Sequence, residues 1–144
     1  MRKRIRIKFA DDMKIGHPLI DEQHKNMVEE VDAIYRELSK GEVDDNIVKK
    51  HLVFLLKYAK EHFHTEEKIM QQIGYPDYDE HHEAHEWFIQ ETKKLIADYN
   101  RYGPTKSLMV HMHHLLVDWL ISHICGMDKK FGSYYRRYLR EHNV

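Results

Sequence analysis

The chain has 144 residues, 33% charged and 42% hydrophobic, with a formal net charge of −1. That profile suits a single globular domain with a real core. A near-zero balance gives no global field for nucleic acid or a membrane surface, and the single cysteine, Cys125, excludes an internal disulfide. No run is long enough to span a bilayer, and the basic start, Met1 to Phe9, lacks the apolar stretch of a secretory signal, so a cytoplasmic location is expected. One count is out of line. There are 13 histidines, scattered from His17 to His142, which points to metal chemistry rather than a tag.

In chain order, the arm comes first. Ile5, Ile7 and Phe9 alternate with basic residues, so the arm reads as extended chain laid over whatever follows. Glycine and proline at Gly16/Pro18, Gly41, Gly74/Pro76 and Gly103/Pro104, with Gly126, then divide the rest into four long segments. The first, Leu19 to Leu38, carries the apolar stripe Ile20, Met27, Val31, Ile34 and Leu38. The second, Asp45 to Ile73, carries Val48, Leu52, Leu55, Ala59, Ile69 and Ile73. The third, from near Asp79 to Tyr99, turns Phe88 and Leu95 inward, and Asp77 with Glu80 resembles a capping pair at its start. The fourth, Thr105 to Ile124, turns Met109, Met112, Leu116, Trp119 and Leu120 inward. A short helix follows, from Lys129 to Arg140, whose Tyr134, Tyr135 and Tyr138 either pack the tail or form a dimer surface. The expected fold is all-α: an up-down-up-down four-helix bundle with an extended N-terminal arm and a short C-terminal helix.

Polar residues interrupt these apolar stripes in a pattern. His24 lies between Ile20 and Met27, His62 and Glu66 between Ala59 and Ile69, His81 and His85 ahead of Phe88, and His123 four residues after Trp119. Each helix therefore aims at least one histidine at the core. Unsatisfied, such groups cost about 1–3 kcal/mol each, and a carboxylate more. A metal removes that penalty. Residues four apart on a helix share a face, so His62/Glu66 and His81/His85 can each converge on one point. Asp128 is five residues beyond His123 and off that face, unless Gly126 stops the helix and swings it back.

The strings Asp21-Glu22-Gln23-His24, His62-Phe63-His64-Thr65-Glu66-Glu67, Gly74-Tyr75-Pro76, His81-xxx-His85 and Trp119-Leu120-Ile121-Ser122-His123-Ile124-xxx-Asp128 resemble the hemerythrins, with helix spacings like those of the bacterial branch. The likeness runs from about Phe9 to Asp128, in the family's order. It implies a pair of iron ions as cofactor. His81, His85 and His123 would bind one iron, and His24 and His62 the other. Glu66 and Asp128 would bridge them, with a solvent-derived oxo or hydroxo group as third bridge. One iron then has six donors and the other five, which leaves an open position on the iron held by His24 and His62. The implied function is reversible dioxygen binding by a carrier or store, not an enzyme. The implied pocket is dry and apolar, with Met27, Leu120, Ile124 and Trp119 as candidate lining. The alternatives are an oxygen sensor acting through a separate partner, or a di-iron enzyme that reduces peroxide or nitric oxide.

Other readings fail on spacing. His82-Glu83-Ala84-His85 is one residue short of the zinc-protease helix pair. A ferritin-like carboxylate site needs two Glu-xx-His motifs, and only Glu61-xx-His64 fits, on the outward side. The eight other histidines (His17, His51, His64, His82, His111, His113, His114 and His142) are expected mostly at the surface. His113 falls on an inward stripe but about 15 Å along the helix from His123. Glu67 is expected to face solvent, and Cys125 to be a small buried filler.

Overall fold

The computed structural model describes residues 7–142. After a short 3-10 turn at Asp11–Met13 come three long helices: α1 (Pro18–Leu38), α2 (Asp45–Ile73) and α3 (Tyr78–Tyr102). A fourth helical rod then stays right-handed from Lys106 to Glu141. It comprises α4 (Lys106–Met112), a π-helical stretch (His113–Trp119), α5 (Leu120–His123), a second π-helical stretch (Ile124–Asp128) and α6 (Lys129–Glu141). The fold is the expected all-α bundle, with α1 packed on α2, α2 on α3, and α3 on the fourth rod. The expected short last helix is there, but it continues the fourth without a break.

Local chemistry sets the helix ends. The His17 ring accepts from the Ile20 N–H at 3.3 Å and Pro18 opens α1. The Asp44 carboxylate caps α2 through the Asn46 N–H at 3.0 Å. Gly74 closes α2 in the left-handed region at φ 67, with the Tyr75 N–H returning to the Met70 carbonyl at 2.9 Å. Thr105 caps α4 through the Leu108 N–H at 3.2 Å. The expected capping pair before α3 does not form. Asp77 holds the cap position, but at ψ 22 its backbone is not extended and its side chain makes no capping bond. Its carboxylate goes instead to Lys130 Nζ on α6, 2.6 Å away.

The arm lies against the bundle as expected where it is described. Ile7 is buried, Phe9 packs against the core, and the Ile7 N–H donates to Asp32 Oδ1 at 3.1 Å. Ile5 lies outside the described residues.

Two apolar clusters fill the interior. The larger includes Met27, Ile34, Leu52, Phe63, Phe88, Leu95, Met112 and Leu120. The smaller joins Ile15, Ile20, Met70, Tyr75 and Phe131. Each fully buried side chain of this size contributes about 1.5–3 kcal/mol. Several inward positions differ from the simple stripes. Met70, Leu108 and Leu115 are fully interior, while Ile69, Ile73 and Met109 are only partly covered. At Leu115 the π geometry of His113–Trp119, which bonds each residue to the fifth along, resets the inward face. Along every long element, the gap between the two clusters is occupied by polar residues. On α1 it is His24, between Ile20 and Met27; on the fourth rod it is His123 and Asp128, between Leu120 and Phe131.

Candidate metal centre

That gap is one polar layer. All seven residues of the expected metal set meet in it, and each is at most 4% exposed. Their donor atoms form two groups, each within 4.8 Å: Glu66, His81, His85, His123 and Asp128 in one, and His24, His62, Glu66 and Asp128 in the other. Glu66 and Asp128 belong to both.

Asp128 reaches the layer by a route the spacing did not suggest. The helix does not stop at Gly126. The turn Ile124–Asp128 is π-helical, and in such a turn residues five apart fall on one face. His123 Nε2 and Asp128 Oδ1 are consequently 3.1 Å apart. The same turn sends Cys125 outward. It is exposed rather than buried filler, because His123, Ile124 and Asp128 take the inward places.

In the first group, His123 Nε2 lies 3.2 Å from His81 Nε2 and 3.1 Å from His85 Nε2. Three imidazole nitrogens facing one another cannot all donate and accept. Two donors at right angles, each about 2.1 Å from a cation, stand about 3.0 Å apart, so the spacing fits nitrogens gathered around one ion. In the second group, His24 Nε2 is 3.0 Å from Asp128 Oδ2 and 3.7 Å from Glu66 Oε2, and His62 Nε2 is 3.3 Å from Glu66 Oε2. None of these contacts is aligned as a hydrogen bond: both Nε2 atoms, Glu66 Oε2 and Asp128 Oδ2 are buried without a hydrogen-bond partner. Nine buried side-chain polar atoms among the described residues lack such a partner, and seven belong to this layer. Orphaned polar atoms on this scale are costly unless a cation satisfies them. A mixed imidazole and carboxylate set suits a first-row transition ion, iron among them.

The electrostatics agree. Burial alone would lower His24, but the close Asp128 and Glu66 carboxylates push it up to about 10. His81 is pushed up to about 9 against the same burial penalty by Asp128 and Glu66. Burial dominates at His62 and lowers it. Glu66 is held well below the usual range, despite burial, by the imidazoles of His24, His62, His81 and His85. Burial and Glu66 raise Asp128, yet His123 and His24 leave it lowered overall. The layer thus pairs two carboxylates with protonated imidazoles, charges that a cation would replace.

Outer contacts orient the rings. His85 Nδ1 donates to Glu67 Oε2 at 2.8 Å, and His62 Nδ1 to Gln23 Oε1 at 2.8 Å. With Nδ1–H held outward, Nε2 is the atom that each ring can offer to an ion in the layer. Glu67 was expected to face solvent. Its side chain is only 14% exposed and also accepts from His82 Nδ1 at 2.5 Å. A signal for it existed: the turn at Gly74–Asp77 folds α3 back along α2, bringing Glu67 level with His82 and His85. Aromatic rings complete the packing. Phe63 stacks on His85 with centroids 3.9 Å apart, and Trp119 on His123 at 4.6 Å.

The other histidines stay outside the layer. His51 is half-buried, paired with Glu30 across α1 and α2. His113 is partly exposed beside the Tyr35 ring and Asp118. His64 and Glu61 are both exposed, as the rejected ferritin-like reading required.

A helical bundle with a buried double cluster of histidines around two shared carboxylates defines a class of metal-binding protein. The particular family follows from comparison: the profile of the Hemerythrin HHE cation binding domain matches residues 16–135, and the chain belongs to the hemerythrin family. It is 30% identical to a bacteriohemerythrin of Stenotrophomonas maltophilia over 140 residues, 92% of this chain and 84% of that protein. It is 28% identical to a bacteriohemerythrin of Methylococcus capsulatus over 114 residues, 78% of this chain and 82% of that one. With the myohemerythrin of Sipunculus nudus it shares 27% identity over 123 residues, 85% and 88% of the two chains.

Proposed function

We propose that this protein binds dioxygen reversibly at a pair of iron ions, as a carrier or store rather than an enzyme. The observation that carries this reading is the asymmetry of the layer. Three imidazoles serve one group and two serve the other, while Glu66 and Asp128 are common to both. His81, His85 and His123 would hold one ion, His24 and His62 the other, and the two carboxylates would bridge them, with a solvent-derived oxo or hydroxo group between. An iron pair held there supplies reducing equivalents and, on the two-imidazole side, one coordination position for a small gas.

The chain's own residues do the rest. Met27, Leu120 and Ile124 are at most 2% exposed and belong to the apolar cluster beside the layer. We assign them to the wall that excludes water at the open position. Trp119, the fourth candidate for that wall, lies over His123. Among the described residues no helix is long and apolar enough to cross a membrane, which fits a freely diffusing carrier.

The test is an optical spectrum of anaerobically reduced, iron-loaded protein, recorded before and after air and again after oxygen is removed. A charge-transfer band that appears and then disappears is expected, with about two iron ions per chain. A band that decays irreversibly, or a single bound ion, would overturn the reading.

A further inference from the structure

The chain has two tryptophans, and they touch. The rings of Trp87 and Trp119 have centroids 5.8 Å apart and planes inclined at 37°. Trp119 in turn lies nearly parallel to His123, with centroids 4.6 Å apart and planes at 9°. Buried Phe88 stacks on Trp119 at 4.7 Å and 21°, which holds the middle ring in place. Trp87 is 48% exposed, whereas His123 is buried. Three π systems in contact therefore run from solvent to one imidazole of the three-histidine group. A single exposed indole is ordinary. An exposed indole in contact with a second one stacked on a buried donor ring is a continuous path.

We propose that Trp87 and Trp119 are an electron relay by which a one-electron donor of the reduced-flavin class returns ferric iron in the centre to the ferrous state. This rests on the iron reading above. The chemistry balances simply. The donor loses one electron and one ferric ion gains it, and two such transfers restore the diferrous pair. No bond is made or broken in the rings, and no proton passes through them. Electron transfer weakens steeply with the gap to be crossed, and stacked rings leave no solvent gap. A planar isoalloxazine ring can pair with the exposed indole of Trp87 as aromatic rings pair elsewhere. The relay ends on His123, in the group that does not contain His24 and His62.

The experiment uses the full iron-loaded chain, oxidised to the diferric state and mixed anaerobically with photoreduced riboflavin. Loss of the ferric absorption is followed in the parent, Trp87→Leu, Trp119→Leu and the double variant. Each single change is expected to slow reduction by an order of magnitude. The double variant should be no slower than the slower single one, because links in series are not additive. Trp87→Leu should keep the parent's iron content and midpoint potential. Unchanged rates in Trp87→Leu would overturn the relay, and this exposed position decides the matter even if Trp119→Leu disturbs the fold. A second readout needs no metal. Circular dichroism of the metal-free parent should show the paired bands of two coupled indoles, lost in each single variant; their absence from the parent would also overturn the proposal. A parent that takes up no iron pair fails at metal analysis and brings down both readings. A loaded parent whose rates ignore the variants brings down the relay alone.

Discussion

The two halves of the centre share their carboxylates and differ in what stands behind their imidazoles. On the three-histidine side, His85 is backed by the anionic Glu67 at 2.8 Å and by a Phe63 ring at 3.9 Å, and His123 is covered by Trp119. On the two-histidine side, His62 is backed by a neutral amide, Gln23, while each side has one imidazole whose Nδ1 has no hydrogen-bond partner, His24 here and His123 on the other. A carboxylate acceptor makes its imidazole a more basic and better-fixed donor than an amide does. We infer a division of labour between the two halves. On the proposed reading, the first half would hold its ion more rigidly, and the second would leave its ion softer constraints, as an exchangeable coordination position requires.

The largest effect is expected from removing what the halves share. Glu66→Leu should abolish both sites together, with iron falling from about two per chain to less than one. The metal-free protein should lose about 3–5 kcal/mol in denaturant unfolding, because buried protonated imidazoles lose their counter-charge. Retention of one ion on the three-histidine side would show the halves to be more independent than the shared carboxylates imply.

Next in size is a pH effect that touches both halves. In the metal-free protein His24 is raised to about 10 and His81 to about 9, against about 6.5 in an unfolded chain. Groups raised on folding stabilise fully below the unfolded value, so this contribution should fade as pH climbs from about 6.5 through 9 to 10. Glu66 and Asp128 are lowered, so theirs should fade in the opposite direction, as pH falls below about 4. His62, lowered by burial, loses stability as pH falls below about 6.5, so the metal-free protein should be most stable close to that value. Metal must displace the protons on His24 and His81, one from each half. His85 is raised as well, by Glu66 and Glu67 against its burial, so loading near neutral pH should release two or more protons per chain in a pH-stat, and apparent affinity should rise with pH. Loading without proton release would show the imidazoles to be neutral beforehand.

How much of this was legible in the sequence follows from which residues obey simple periodicity. Six of the seven residues of the layer stood out because a polar residue on an apolar helix face needs a reason: His24, His62, Glu66, His81 and His85 keep α-helical spacing, and His123 follows the inward Trp119 by four. Asp128 was legible only as a type and a place in the order. Its five-residue offset from His123 reads as a break, whereas the chain absorbs it in a π turn, which leaves no compositional mark. The same turn explains why Cys125 was misplaced. Glu67 was missed because it lies one residue, or roughly 100°, around α2 from the donor face; its partners become visible only once α3 is folded back against α2. Asp77 has the right residue type for a cap, but Lys130 on a distant helix claims its carboxylate, and no local rule contains that competitor.

Smaller changes sharpen the contrast between the halves. Glu67→Gln keeps the shape and removes the charge behind His85, and should weaken metal affinity by about 10–100-fold. Gln23→Leu removes only a neutral acceptor from His62 and should cost less. Competitive chelator titration of the two variants measures the order, and the reverse order would refute the division of labour. The smallest effect belongs to His82→Asn. His82 bonds Glu67 at 2.5 Å but is itself 42% exposed, so solvent can replace it, while the Glu67 bond to His85 lies deeper. Affinity should fall only a few-fold, and the double variant with Glu67→Gln should be no worse than Glu67→Gln alone, because His82 acts on the metal only by orienting that carboxylate. A double variant clearly worse than Glu67→Gln would mean that His82 reaches the centre by a second path.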